Sequence, residues 1–90
     1  MKVILHHAAD KYIDRLPQPD RARFDAAFAN LCKNAPEGDV KPYKGSPGVL
    51  RLRVGNYRAI FKFVDNSILV THIEPRGQAY TKKTKNKRGK

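Results

Sequence analysis

Residues 50–64 read LRLRVGNYRAIFKFV, and this stretch decides the fold. From Leu50 to Val54, apolar residues alternate with arginines, which is the period of two that a half-covered β-strand shows. Gly55-Asn56 is a two-residue turn signal, and the apolar residues resume directly after it. The stretch therefore predicts an antiparallel hairpin with strands at 50–54 and 57–64.

The register of this hairpin separates two kinds of side chain. A two-residue turn pairs Val54 with Tyr57 and places Arg53 opposite Arg58. One predicted face is apolar and carries Leu50, Leu52, Val54, Tyr57, Ala59, Phe61 and Phe63. The other predicted face is basic and carries Arg51, Arg53, Arg58 and Lys62. Like charges opposite each other destabilise a sheet, so we interpret the basic face as a polyanion-binding site rather than an ordinary solvated face.

The segments around the hairpin predict an α+β fold. Lys2–Leu5 favours a strand and residues 8–16 a short helix, and Pro19-Asp20 suits the start of a second helix. That helix has an apolar stripe of Phe24, Phe28, Leu31, Cys32 and Ala35. Residues 36–48 hold three prolines and three glycines and are expected to form a loop. Residues 68–73 favour a last strand.

The predicted element order is β-α-α-β-β-β, with the helical hairpin packed on one face of a small, twisted, mainly antiparallel sheet. Ninety residues suffice for one modest core. We expect a single domain at 1–80, followed by a basic, disordered tail at 81–90 that is too charged to fold alone.

The net charge of +11 lies in the second half of the chain. Residues 1–40 carry six basic and six acidic residues, whereas residues 41–90 carry thirteen basic residues and two acids. This asymmetry predicts a polyanion-binding surface. No apolar run approaches the roughly 20 residues that span a bilayer, so no membrane contact is expected. The single cysteine fits the reducing cytoplasm.

Two segments, KPYKGSPGVLRLRVGNYRAIF and THIEPRGQAY, resemble the RelE/ParE toxin superfamily of type II toxin–antitoxin modules. The shared pattern is a Lys-x-x-Lys-Gly loop, an Arg-Leu-Arg-Val-Gly-x-Tyr-Arg hairpin, and a closing arginine followed by a tyrosine. The resemblance covers about residues 2–80. It implies the same order of helices and strands as the residue pattern does.

The resemblance implies a ribosome-dependent messenger RNA endoribonuclease that inhibits translation. RelE-type members occupy the ribosomal A site and cut mRNA by in-line attack of a ribose 2′-hydroxyl. By position, Arg51, Arg53, Arg58, Arg76 and Tyr80 match the family's catalytic set, with Arg58 at the scissile phosphate and Tyr80 stacking on a base. The residues expected to bind the RNA backbone are Lys41, Lys44, Lys62, Lys82, Lys83, Lys85, Lys87 and Arg88.

This set contains no obvious general base. Arginine does not deprotonate in proteins, and the family's strand lysines are arginines here. The candidates for proton transfer are His72, Glu74 and Tyr80. His72 has a suitable intrinsic pKa, but a turn of two or three residues at 65–67 decides which face it occupies. Tyr43 and Tyr57 are expected to be packing residues.

Two other functions stay open at this stage. A ParE-type toxin would block DNA gyrase without nuclease activity, and a non-catalytic RNA-binding module would need no general base. No motif predicts a cofactor or a metal site. The resemblance implies a cognate antitoxin as partner, besides the ribosome and mRNA, with operator DNA reached only through the antitoxin complex.

Overall fold

The computed structural model describes residues 1–33 and 38–75. Within them, the chain forms strand β1 (Lys2–Leu5), helix α1 (His7–Asp14), helix α2 (Asp20–Leu31), and strands β2 (Asp39–Pro42), β3 (Leu50–Val54), β4 (Tyr57–Val64) and β5 (Ser67–Pro75). The α+β class is confirmed. The predicted tail at 81–90 lies outside the described residues, so the division at residue 80 stays a prediction.

Both helices begin close to the predicted positions, and both end before the predicted residues. At the start of α1, the Nδ1 atom of His6 accepts a hydrogen bond from the Ala8 amide, which satisfies one of the free N–H groups of the first turn. Helix α2 starts at Asp20, whose carboxylate suits the positive end of the helix dipole. It ends at Leu31, with Cys32 as its C-terminal cap, and the last residue of the predicted stripe, Ala35, lies outside the described residues.

The five strands form one sheet in the order β1-β5-β4-β3-β2. The pairs β2–β3, β3–β4 and β4–β5 are antiparallel, and β1 pairs parallel with β5. The hairpin register is the predicted one, with Val54 paired to Tyr57 and Arg53 to Arg58. The sheet therefore places β3 and β4, which carry the arginines, away from the β1 edge.

Strand β2 corrects the expectation that residues 36–48 form only a loop. Asp39–Pro42 pairs with β3 at the edge of the sheet, where a proline is tolerated because its missing N–H leaves no gap in an inner ladder. Gly38 precedes it with φ +146°, and a Cβ at this position would lie 2.8 Å from Leu52 Cδ1. The short strand shows little of the alternation that reveals β3.

One face of the sheet packs against both helices and holds the core. The buried apolar side chains of this cluster come from both helices and three strands: Ala9, Ile13, Phe24, Leu31, Leu52, Val54, Ala59, Phe61, Ile68, Val70 and Ile73. Tyr57 is a packing residue, as predicted, and its ring lies 5.7 Å from that of Phe24. Phe63 was expected on the covered face but is 48% exposed and is not part of the core cluster, although its partner Ile68 is buried there.

Candidate nucleic-acid interface

The sheet face opposite α1 and α2 carries the charged side chains, and we call it the outer face. The strand registers align one row of it across four strands: Asp39 pairs with Arg53, Arg53 with Arg58, and Arg58 with Glu74. Two basic residues are thus flanked by two acids. Lys41 pairs with Arg51 in a neighbouring row, and Lys62 follows on β4.

The arginines of the outer face have acidic partners within the protein. Arg51 donates to the Asp39 carbonyl oxygen at 3.0 Å and lies 3.2 Å from its Oδ1 atom. Arg53 lies 3.7 Å from Asp39 Oδ2, and Arg58 donates to Glu74 Oε1 at 2.9 Å. The like charges on this face are therefore partly compensated within the protein. The face keeps an excess of basic side chains, because Lys41 and Lys62 are also exposed.

The three arginines differ in how far they can reach a ligand. The Arg51 side chain is 16% exposed and is held at two oxygens of Asp39, whereas the Arg53 side chain is 41% exposed. Arg58 is intermediate at 36%, and its buried Nε atom has no hydrogen-bond partner among residues 1–33 and 38–75. An unpartnered buried donor costs about 1–3 kcal/mol. Of the three arginines, Arg53 and Arg58 expose more of the side chain to a ligand than Arg51 does.

An irregularity in β5 brings His72 and Glu74 to the outer face. Phe61 pairs with Val70, but the next pair is Ile60 with His72, so Thr71 is an additional residue without a partner in the ladder. The turn before β5 has two residues, since Val64 pairs with Ser67. A regular ladder from that turn would have put His72 opposite Ala59, on the helix-covered face. The bulge at Thr71 reverses this alternation.

Glu74 links Arg58 to His72 and Tyr43. Its Oε2 atom accepts a 2.6 Å hydrogen bond from the Tyr43 hydroxyl and lies 3.1 Å from His72 Nε2, while Oε1 binds Arg58. Burial alone raises the pKa of Glu74, but the hydrogen bonds from Tyr43 and His72, together with the Arg58 charge, outweigh it and lower the pKa overall. Glu74 is therefore an ionised acceptor rather than a proton donor at neutral pH.

Tyr43 belongs to this site, which corrects its prediction as a packing residue. The hydrogen bond to Glu74 and, to a lesser extent, burial raise the pKa of the Tyr43 hydroxyl, so it stays protonated and donates. Its ring also lies edge-on to His72, with ring centroids 6.4 Å apart. Its place inside the Lys-x-x-Lys-Gly loop was the only available signal, because the loop contains the predicted RNA-binding residues Lys41 and Lys44.

The His72 imidazole is held at both nitrogen atoms. Nε2 faces Glu74, and Nδ1 lies 3.1 Å from the Thr71 hydroxyl, which also donates to the Ile60 carbonyl oxygen at 3.2 Å. The His72 side chain remains 45% exposed. An exposed imidazole in a fixed orientation beside cationic groups can accept a proton from a bound hydroxyl group.

Of the remaining predicted site residues, the structure describes three. Lys41, Lys44 and Lys62 are exposed, and Lys41 and Lys62 lie on the outer face. The residues that lie outside the described part of the chain are Arg76, Tyr80, Lys82, Lys83, Lys85, Lys87 and Arg88. Their proposed roles stay predictions. Over residues 1–33 and 38–75, no cluster of three potential metal ligands occurs, and neither helix is long and apolar enough to cross a membrane.

Comparison with known proteins identifies the family. The sequence profile of the ParE toxin of the type II toxin–antitoxin system parDE matches residues 3–80. The match covers most of the chain, so the protein belongs to this family of type II toxin–antitoxin toxins, within the RelE/ParE superfamily. No curated protein matches its sequence.

Solved structures share the fold. The archaeal RelE–RelB complex from Pyrococcus horikoshii is similar at 27% identity and a TM-score of 0.67, over 86% of this chain and 96% of that one. The isolated Escherichia coli RelE toxin is similar at 14% identity and a TM-score of 0.69, over 84% of each chain. The RelB–RelE complex from Methanococcus jannaschii is similar at 20% identity and a TM-score of 0.67, over 80% of this chain and 88% of that one. The two likenesses below 25% identity concern the fold alone.

Proposed function

We propose that this toxin is a ribosome-dependent endoribonuclease that cuts messenger RNA and so inhibits translation. The observation that carries the proposal is the convergence of Arg53, Arg58 and His72 on the outer face. Cationic groups and a candidate base on one accessible face are the parts that RNA cleavage by a neighbouring hydroxyl needs. The match of the hairpin to RelE-type toxins supports the same assignment.

The proposed reaction is a transesterification within the RNA. The 2′-hydroxyl gives its proton to His72, and its oxygen attacks the adjacent phosphorus. The bond from phosphorus to the 5′-oxygen breaks, and that oxygen takes a proton from solvent. The products are a 2′,3′-cyclic phosphate and a 5′-hydroxyl end. Much of the rate acceleration would come from holding the attacking and leaving oxygens in line.

The arginines would stabilise charge that develops on the phosphoryl oxygens. Arginine presents a planar fork of N–H donors that suits two phosphate oxygens. Arg58 has its Nη2 atom on Glu74, and its side chain is 36% exposed. Arg53 is more exposed and has a single, longer ion pair. We assign Arg58 to the scissile phosphate, Arg53 to phosphate binding, and Arg51 to a more structural role beside Asp39.

The C-terminal residues complete the proposed site by resemblance. Arg76 would add a second cation at the phosphate, and Tyr80 would stack on a base next to the cut, as single-stranded RNA recognition commonly requires. The basic residues between 82 and 88 would extend the contact with ribosomal RNA through salt-sensitive attraction.

A gyrase-directed function is the second candidate. The matching family profile carries the ParE description, and both outer-face acids neutralise part of the arginine charge. A toxin of this kind would arrest DNA synthesis and leave mRNA intact. A non-catalytic RNA-binding module would do neither. We favour the nuclease because His72 and Arg58 share one face with room for a ligand.

We further propose a cytoplasmic protein with a cognate antitoxin as partner. Solved relatives include complexes of RelE with RelB. A segment with acidic side chains would complement the excess positive charge of the outer face. Operator DNA would then be contacted only through the toxin–antitoxin complex. Co-expression with the adjacent small open reading frame should restore growth, and persistent arrest would count against this partner.

The deciding experiment measures cleavage of A-site mRNA in programmed ribosomes by primer extension. Wild-type toxin should give cuts at fixed codon positions, and Arg58→Ala should give none. Arg21→Ala removes the same charge from the exposed surface of α2 and serves as the matched control. Intact mRNA with arrested DNA synthesis would favour the gyrase-directed function. The absence of both effects would leave a binding module.

A further inference from the structure

Glu74 contacts side chains from three different elements of the outer face. Arg58 on β4 donates to Oε1, Tyr43 from the β2–β3 connection donates to Oε2, and His72 on β5 approaches Oε2. The Glu74 side chain is 24% exposed, which is less than the Arg58 side chain at 36% and the His72 side chain at 45%. A carboxylate that is fixed by several donors also fixes the orientation of those donors.

We propose that Glu74 is a positioning residue that holds the His72 imidazole and the Arg58 guanidinium side by side, with Tyr43 holding Glu74 in turn. This inference rests on the proposed nuclease function and names residues that the resemblance does not supply. Glu74 and Tyr43 contact the groups that act on RNA rather than the RNA itself. The bulge at Thr71 is what makes the arrangement possible, since it turns both His72 and Glu74 to the outer face.

The Glu74 contact determines which nitrogen of His72 takes a proton. An ionised carboxylate only accepts hydrogen bonds, so Nε2 must carry hydrogen when it faces Glu74. In neutral His72 the free electron pair therefore lies on Nδ1. A buried or fixed acceptor on one ring nitrogen sets the tautomer in this way. The proton would then reach Nδ1 through Thr71, whose hydroxyl gives its hydrogen to Nδ1 and takes the hydrogen of the 2′-hydroxyl.

Thr71 lets the site hold His72 in both protonation states. A hydroxyl has one hydrogen, so Thr71 can donate either to Nδ1 of neutral His72 or to the Ile60 carbonyl oxygen. When Nδ1 gains a proton, it donates to the Thr71 oxygen, and the Thr71 hydrogen turns to Ile60. Thr71 therefore makes one of these two hydrogen bonds when His72 is neutral and both when it is protonated.

The charged and titratable groups around His72 come from each neighbouring element. Glu74 lies on its own strand, Arg58 on β4, Arg51 on β3 and Tyr43 on the β2–β3 connection. Of these groups, Glu74 is the one that contacts His72 Nε2, and Glu74→Gln removes its charge while the arginines stay in place.

The test is single-turnover cleavage of A-site mRNA across pH by the full-length chain and its Glu74→Gln variant. We expect the rate constant to fall at least about 10-fold, part of the roughly 100-fold that a general base contributes. Ribosome affinity should change less than the rate constant. Asp65→Asn makes the same charge change at the exposed β4–β5 turn, where Asn tolerates the positive φ of 54°. It should cleave as the wild type does.

Tyr43→Phe supplies a second, milder variant in case Glu74→Gln does not fold. Loss of the hydroxyl should lower the cleavage rate several-fold, because Glu74 loses one of the donors that hold it. Tyr12→Phe removes a hydroxyl from the helical layer and is the matched control. A rate and a pH profile equal to wild type in both Glu74→Gln and Tyr43→Phe would overturn the positioning role.

Nitrogen NMR of the imidazole separates this inference from the proposed function. Neutral His72 should carry its hydrogen on Nε2 in the wild type and should show a mixture of tautomers in Glu74→Gln, with His72→Asn assigning the signal. An unchanged tautomer in Glu74→Gln would overturn the orienting contact whether or not the toxin cleaves. Wild-type toxin that leaves ribosomal mRNA intact would instead remove the nuclease function, and with it any role of Glu74 in cleavage.

Discussion

Arg58 and Glu74 lie opposite each other on antiparallel strands, with Arg58 Nη2 2.9 Å from Glu74 Oε1. Both side chains are partly exposed, so the pair itself contributes little to stability, about 0–1 kcal/mol. The pair matters because it fixes the positions of the two side chains. Cross-strand pairing fixes the guanidinium next to the carboxylate that also binds His72, and the pair therefore sets the geometry of the outer face.

Arg58→Ala should abolish cleavage and leave the fold intact. Loss of one donor aimed at developing phosphoryl charge commonly costs 100-fold or more in rate. The melting temperature should fall by only a few degrees, because the side chain contributes to no core contact. Cleavage of A-site mRNA in programmed ribosomes measures the activity, and thermal unfolding followed by circular dichroism measures the melting temperature. Arg58→Ala with wild-type cleavage would remove this residue from the site.

Glu74→Gln should lower the stability of the protein at neutral pH and lose that effect in acid. The folded-state pKa of Glu74 is lowered, so its stabilising contribution is present above the unfolded value of about 4.5 and is lost as the pH falls through the folded value. Denaturant titrations at several pH values should therefore show that the free energies of unfolding of wild type and variant converge below about pH 4. A constant difference across this range would contradict the lowered pKa.

The arginine hairpin was predictable because its signals are local. The alternation from Leu50 to Val54 and the Gly55-Asn56 turn determine strands, register and face together. The register then placed Arg53 opposite Arg58 correctly. The core face was largely predictable for the same reason, since alternate residues of β3 and β4 pack against the stripe of α2.

The acidic partners and His72 depend on contacts that no local pattern contains. Asp39 lies on the edge strand β2, whose four residues were expected in a loop. The face of His72 depends on one additional residue at Thr71, and a bulge has no reliable signal in the residue types around it. Tyr43 reaches Glu74 across 31 positions of sequence, so only the fold brings them together.

Thr71→Val should weaken both the protein and its activity while it preserves the strand. Valine keeps the branched shape that suits a β-strand, but it removes the hydroxyl that contacts Ile60 and His72. We expect a loss of about 1 kcal/mol, because the Thr71 hydroxyl makes one hydrogen bond at a time while His72 is neutral. Cleavage should also fall, because His72 loses the partner of Nδ1. Full activity in a destabilised variant would limit Thr71 to a structural role.

Tyr57→Phe should destabilise the protein without affecting cleavage. The Tyr57 hydroxyl donates to Asp20 Oδ2 at 3.2 Å on the helix side of the sheet, and its ring packs against Phe24 and Tyr12. Deleting the hydroxyl should cost about 1 kcal/mol and leave the outer face unchanged. Equilibrium unfolding and the ribosome assay measure the two effects. Reduced cleavage at unchanged stability would place Tyr57 in the functional site instead.

The salt dependence of RNA binding should distinguish Arg53 from Arg51. Each phosphate contact to a single strand contributes about 0.7 to the slope of log affinity against log salt. Arg53 is 41% exposed with one long ion pair, so Arg53→Ala should reduce the slope by about that amount. Arg51 is 16% exposed and bound to two oxygens of Asp39, so Arg51→Ala should change the slope less and the stability more. Titrations of a short single-stranded RNA at several salt concentrations, with Arg21→Ala as the charge-matched control, measure the slopes. Equal slopes for Arg53→Ala and Arg21→Ala would show that Arg53 contacts no phosphate.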